Sequence, residues 1–245
     1  MKIKFNIDDK TALEHWKPIP AREYLPEWYA NMAKAKDTYS FDENALKSIR
    51  ACVPVEDFIT AGYILRATYE VRVSEKIENF VPKMNIVTAN TVRNKINDSK
   101  KTDDMQGLHP NNAVGIYAES TCPMRSTDKK NLTNYFRFNS EWTVQTPPGY
   151  SCLVVQPYYL FQNQFSIMPA IIDTDKFNQK IPVVGYLTEV NTEVRFYCGD
   201  PLVQIIPFKR DNWESEFTAD TILNKSKYYL FNAYKKLFHS EKQFK

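Results

Sequence analysis

Apolar and polar residues alternate with a period of two through much of this chain, the pattern of strands with one buried face. In 62–73, GYILRATYEVRV, Tyr63, Leu65, Ala67, Tyr69, Val71 and Val73 fall on one side, and Ile64, Arg66, Thr68, Glu70 and Arg72 on the other. Residues 85–95 predict a further strand. Residues 134–146, NYFRFNSEWTVQT, predict another whose alternation stumbles near Ser140, as a β-bulge would make it. In 146–157, TPPGYSCLVVQP, a Pro-Pro-Gly turn opens into an apolar strand, with Gly149 able to supply a positive φ. Strands are expected again at 165–172, 180–188, 193–197 and 200–208, the last two joined by a tight turn at Cys198-Gly199-Asp200. The polar stretch 96–112, with Gly107 and Pro110, predicts an exposed loop. Many short strands between frequent turn signals predict a mainly β fold, a jelly-roll or β-clip-like sandwich or barrel.

The two ends follow other rules. Residues 1–50 read as an arm without strands, in which Pro18 and Pro20 impose extended backbone and a short helix within 21–35 starts at Pro26. Trp16, Tyr24, Trp28, Tyr29 and Met32 give this arm a large apolar surface, which either packs on its own domain or docks on a neighbouring subunit. In 215–239, Phe217, Leu223, Leu230, Phe231, Tyr234, Leu237 and Phe238 recur near the helical period, so an amphipathic helix is expected. The resulting organisation is an arm over 1–50, a β domain over 51–213 and a basic helix over 214–245. Trp16, Trp28, Phe231 and Tyr234 are the candidate interface anchors, because buried aromatics dominate interface energetics.

Composition narrows the picture. The 245 residues are 43% hydrophobic and 14% aromatic, enough for one large β core. Thirty-two Lys and Arg against 29 Asp and Glu give a net charge of +3, too balanced for nucleic-acid binding over the whole surface. The exception is 225–245, where six Lys face one Glu. That stretch could meet nucleic acid, a membrane or an acidic protein, or form a solvated face that complements its own helix dipole. Cys52, Cys122, Cys152 and Cys198 are far apart, with no CxxC, and His15, His109 and His239 are scattered. No metal and no cofactor is expected, and the thiols read as free and intracellular. The start of the chain, MKIKFNIDDK, has no apolar h-region, and no run approaches the roughly 20 apolar residues of a membrane span, so a soluble protein made in a cytoplasm, with no membrane partner, is expected.

Two resemblances bear on function. Cys52-Val53-Pro54-Val55, Ala61-Gly62-Tyr63, Thr146-Pro147-Pro148-Gly149-Tyr150, Ile172-Asp173-Thr174-Asp175, Gly199-Asp200-Pro201 and Pro207-Phe208-Lys209-Arg210 resemble, in this order and over 50–213, an uncharacterised protein family of tailed bacteriophages and some bacteria. That resemblance implies a phage origin and no particular chemistry. The stretches AGYIL (61–65), IIDTDKFNQKIPV (171–183) and GDPLVQI (199–205) are similar to the motif order of deoxyuridine triphosphatases and deoxycytidine deaminases, trimeric enzymes of β-clip-like fold. The similarity implies that Asp173 stands where the family's Asp meets the sugar and the attacking water, with Asp175 and Phe177 beyond it and Gln204 after the last turn. Ile64-Leu65 replaces the family's Asp-Leu, Ser151 stands without the Arg-Ser-Ser phosphate motif, and the Gly-rich C-terminal clamp has no counterpart. The pattern implies the fold without the enzyme.

Asp173 and Asp175 therefore have two readings. On an extended strand both would face one side about 7 Å apart, suited to a ligand or a water. In a turn, their side chains would bond nearby backbone N–H groups. If a nucleotide site exists, Asp173 and Asp175 form it with Tyr150 or Phe177 as stacking rings, Gln204, and Lys209 and Arg210 as phosphate ligands. Lys209 and Arg210 could equally pair with Asp211 or Glu214. His109 is a loop residue without an identifiable proton-transfer partner. The expectation is a non-enzymatic phage structural or assembly protein that contacts subunits of the same or a neighbouring kind. It would be in the host cytoplasm during synthesis and in the virion if structural. The alternative is a degenerate triphosphatase that binds or sequesters nucleotides.

Overall fold

A computed structural model describes residues 1–33, 48–78, 81–89, 115–117, 135–157, 164–189 and 191–218. The chain divides into two units, Met1–Lys209 and Arg210–Lys245. In the second unit the described residues, 210–218, have no regular secondary structure. The expected C-terminal helix therefore does not begin at 214: residues 214–218, with Phe217, are not helical, and the rest of it, with Phe231 and Tyr234, lies outside the described residues, as does the expected loop over 96–112 with His109.

The first unit is mainly β. Its first sheet runs β1 (Lys4–Asn6), β7 (Tyr135–Gln145), β11 (Lys180–Leu187), β9 (Phe165–Ile167), with β6 (Gly115–Tyr117) also paired to β7. The second runs β10 (Ala170–Ile172), β8 (Tyr150–Val155), β13 (Pro201–Lys209), β3 (Tyr63–Arg66), β2 (Ile19–Pro20). The third runs β12 (Glu193–Phe196), β4 (Glu70–Glu78), β5 (Val81–Ala89). The pairings are antiparallel, and among the described residues no sheet closes on itself.

Alternation works as expected: β11 buries every second residue, including Ile181, Val183 and Leu187. One core collects Phe136, Phe138, Trp142 and Phe165 from the first sheet, Leu65, Val154 and Ile205 from the second, and Val71, Val73 and Phe196 from the third. Phe196 makes ring contacts with Phe138 at 5.6 Å and Phe165 at 4.8 Å, so aromatic packing joins the first and third sheets.

The bulge near Ser140 is present. Between the pairs Asn139–Pro182 and Thr143–Lys180, three residues of β7 (Ser140, Glu141 and Trp142) stand opposite Ile181 alone. Two extra residues preserve side-chain parity, so Phe136, Phe138, Trp142 and Val144 all still face inward. Glu141 takes φ 63, in the left-handed region, and its carboxylate holds Lys180 Nζ at 2.5 Å. The Tyr69 hydroxyl donates to the Asn139 carbonyl just before the bulge. Burial, and then the nearby Glu141 charge, push the Tyr69 pKa well above its ordinary value.

Several expectations need correction. The strand foreseen over 62–73 is two strands in different sheets. Ala67 donates to Asp200 O at 2.7 Å and accepts from Gly199 N at 2.8 Å, and the chain then leaves the second sheet for the third. Leu65, Ala67, Tyr69, Val71 and Val73 are buried as expected, but so are Ile64 and Thr68. Likewise 165–172 splits into β9 and β10, because Pro169 has no N–H with which to continue a ladder. Residues 53–60 form a helix, α3 (Val53–Thr60), rather than a lead into strands, with Pro54 in its first turn and Val55, Phe58 and Ile59 on one face.

The N-terminal segment is also not a strandless arm. It holds α1 (Lys10–His15), capped by Asp9, and α2 (Glu27–Ala30), which follows Pro26 as the sequence indicates. However, β1 pairs with β7 and β2 pairs with β3. The reason is an alternation at the very start of the chain: Ile3, Phe5 and Ile7 all pack on the core. Arg66 donates to His15 O at 2.8 Å and Lys17 O at 3.2 Å, fastening the segment between them.

Gly62 has φ +69, and a Cβ there would stand 1.9 Å from Ile205 O, inside the backbone of β13. Gly62→Ala therefore combines a disfavoured conformation with a clash that no side-chain rotation relieves. It should lower the stability measured by urea unfolding by about 3 kcal/mol or more. A loss under about 1 kcal/mol would mean that β3 and β13 are farther apart than described.

Candidate functional site

The Asp-Thr-Asp stretch lies just beyond β10, where the second sheet hands the chain back to the first. It is a turn and not a strand. Asp173 O accepts from Lys176 N at 2.9 Å and Phe177 N at 2.8 Å, and Ile172 O accepts from Thr174 N at 2.9 Å. The turn lies against the Pro-Pro-Gly turn that opens β8, where Tyr150 N donates to Pro147 O at 3.2 Å and Gly149 takes φ +82.

Side chains tie the two turns together. Gly149 N donates to Asp175 Oδ2 at 2.8 Å, and Ser151 Oγ donates to Asp173 Oδ1 at 2.6 Å. Between the two carboxylates, Thr174 is fully buried. Its Oγ1 is 2.7 Å from Thr146 Oγ1 and 3.3 Å from Cys152 Sγ, while its carbonyl accepts from Thr146 N at 3.3 Å. Thr146 Oγ1 in turn donates to Tyr150 O at 3.2 Å. Burial raises the Cys152 thiol above its usual pKa, although the Thr174 hydroxyl opposes the shift, so the neutral thiol is favoured there. The arrangement is a polar clasp with a buried threonine pair at its centre and a carboxylate on either side.

The candidate ligand residues separate into groups. Tyr150, Asp173 and Asp175 share this corner, and Lys209 stands opposite Tyr150 in the ladder between β13 and β8. Phe177 packs against the core, so it anchors the turn rather than offering a stacking face. Gln204 belongs elsewhere. It is buried five positions along β13 from Lys209, and its Nε2 donates to Phe58 O and Ala61 O, each at 2.8 Å, which fixes the end of α3 on the sheet. Its place after the last turn is therefore a structural one. Arg210 begins the second unit. Trp16 is half-buried beside Gly199, where a Cβ would meet its ring at 3.2 Å. Trp28 is half-buried against the cluster of Tyr29 and Ile59. Among the described residues, no group of three or more His, Cys, Asp or Glu is placed to hold a metal ion.

Reading the sequence for the two carboxylates passes over the threonine between them. The signal was there in the alternation: in D-T-D the middle residue has opposite parity, and it is the one that goes inside. Thr146 carries no such mark, because its partner lies 28 positions away.

The clasp makes an energetic prediction. Thr174→Val keeps the shape and removes the hydroxyl that meets Thr146 Oγ1 and Cys152 Sγ, leaving Thr146 Oγ1 with the Tyr150 carbonyl alone, which should cost about 1 kcal/mol in urea unfolding. In a double-mutant cycle with Thr146→Val, the two losses should couple by at least about 0.5 kcal/mol. Additive losses would mean that the two hydroxyls do not interact.

No protein-family model matches the sequence, and no curated protein matches it. Among solved structures, the native EIAV dUTPase aligns over 66% of this chain and 87% of its own, with a TM-score of 0.32 and 12% sequence identity. This is a distant likeness.

Proposed function

We propose that the protein is a non-enzymatic component of a phage particle or of its assembly, acting through contacts with copies of itself or with neighbouring subunits. The observation that carries this reading is the use made of Asp173 and Asp175. Each carboxylate bonds a donor of the facing turn, Ser151 Oγ or Gly149 N, so the acidic pair of the Asp-Thr-Asp stretch is engaged in joining two turns. The phage context comes from the ordered motifs over 50–213. The C-terminal unit supplies contact groups: Trp213 is 92% exposed and Phe217 93% exposed, within a stretch whose residues 211–218 are all exposed. Large aromatics in that state favour a partner surface.

A second reading has one observation in its favour. Tyr150, Asp173 and Lys209 lie at the same corner, an aromatic ring, an acid and a cation of the kind a nucleotide site uses. Two measurements separate the readings. Mass spectrometry of purified particles should find the chain at fixed stoichiometry, and its absence from them would overturn the assembly reading. A thermal shift with deoxynucleotides at millimolar concentration that disappears in Asp173→Ala would favour the second reading. The assembly reading expects no such shift.

A further inference from the structure

The third sheet has one face in the core, through Val71, Val73, Val194 and Phe196. Its other face carries Glu70, Arg72, Ser74 and Lys76 from β4, and Glu193 and Arg195 from β12, with Tyr197 just past the strand's end. The register places Arg72 directly opposite Arg195. Residues so placed on one face have their Cβ atoms about 4.5–5.5 Å apart, and like charges there repel. Among the described residues only one guanidinium of the two is neutralised: Arg195 Nη2 meets Glu70 Oε2 at 3.0 Å. Among the same residues no hydrogen bond or ion pair engages Arg72, nor Lys76 four positions further along the same face, about 13 Å away. By register, one rung of this sheet thus sets cation against cation. The carboxylates of the face stand on other rungs, Glu193 opposite Ser74 and Glu70 opposite Ala89.

An anion beside such a pair offsets its repulsion; Glu70 does so for Arg195 and, among the described residues, no carboxylate does so for Arg72. Guanidinium groups suit phosphate oxygens, which they bind in a bidentate fork. Beside the pair, Tyr197 is 50% exposed and the Arg195 guanidinium lies 5.0 Å from its ring centroid. A cationic track with an arginine-backed exposed ring is the combination that non-specific single-strand binders use, phosphates on the cations and a base on the ring. We propose that the outward face of the third sheet binds single-stranded nucleic acid, with the phosphate backbone along Arg72, Arg195 and Lys76 and a base stacked at Tyr197. The residues of this face are not those of the lysine-rich stretch 225–245, and the proposal stands independently of the assembly reading.

The test is fluorescence anisotropy of a labelled oligothymidine titrated with the full chain across a salt series. The double variant Arg72→Gln/Lys76→Gln should bind at least about tenfold more weakly. Its slope of log affinity against log salt should be shallower by about 0.7 for each phosphate that is no longer neutralised. Tyr197→Ala should weaken binding with the slope unchanged. Replacing the lysines of 225–245 with Gln should leave the effect of Arg72→Gln/Lys76→Gln in place. Because the double variant removes a like-charge opposition, its thermal midpoint should be no lower than that of the parent, and Tyr197→Ala removes only an exposed ring at a strand end. The proposal is overturned by no binding at low salt, by equal affinity and slope in parent and double variant, or by equally tight binding of polyglutamate.

Discussion

The shared apolar interior of the three sheets is the constraint on which the rest of the structure depends. Each sheet buries one face there, and Phe138, Phe165 and Phe196 meet at that centre from two of them. Burying side chains of this size contributes about 1.5–3 kcal/mol each, against about 0.5–1.5 kcal/mol net for a typical hydrogen bond. The chain must therefore change sheets without turning its apolar face outward. It does so at Ala67, held between Gly199 and Asp200, and at Pro169, where the ladder ends. The bulge at Glu141 obeys the same rule, since inserting two residues, where one would reverse the parity, keeps Trp142 inside.

Polar groups are fitted around that interior, and the carboxylate clasp is the clearest case. β8 and β10 are neighbours in the second sheet, but the turns at their ends would be free to splay. Thr146 and Thr174 close the gap beneath them, and Asp173 and Asp175 close it from either side. Gly149 serves this geometry twice, through its positive φ and through an N–H presented to Asp175. A corner built in this way holds the start of β11 in place, and Lys180 is then pinned by Glu141. The two carboxylates thus serve the joint between the turns.

Much of this architecture was legible in the sequence. The mainly β class, the bulge near Ser140, the turns at Gly149 and Gly199 and the turn character of Asp-Thr-Asp all follow from period and turn chemistry, which are local. What escaped was set by distance. Continuous alternation over 62–73 does not reveal that the chain changes sheets at Ala67, because the partner that ends the pairing is some 130 residues away, in the Gly199–Asp200 turn. The motif position of Gln204 suggests a ligand residue, yet its amide donates to carbonyls at the end of α3, a helix too short to show a clear period in sequence. The strands of the N-terminal segment are hard to see in sequence because the alternation of Ile3, Phe5 and Ile7 is only three apolar positions long and Pro18 and Pro20 interrupt the local pattern after it.

The central claim is that the acidic pair is held for structure. The most direct measurement is the urea-unfolding stability of Asp175→Ala against the parent protein. A carboxylate that accepts a backbone hydrogen bond between two turns should be missed when removed, with a loss of about 1–2 kcal/mol. Unchanged or increased stability would contradict the account, because a residue whose removal costs the fold nothing is the kind that proteins keep for function at the expense of stability.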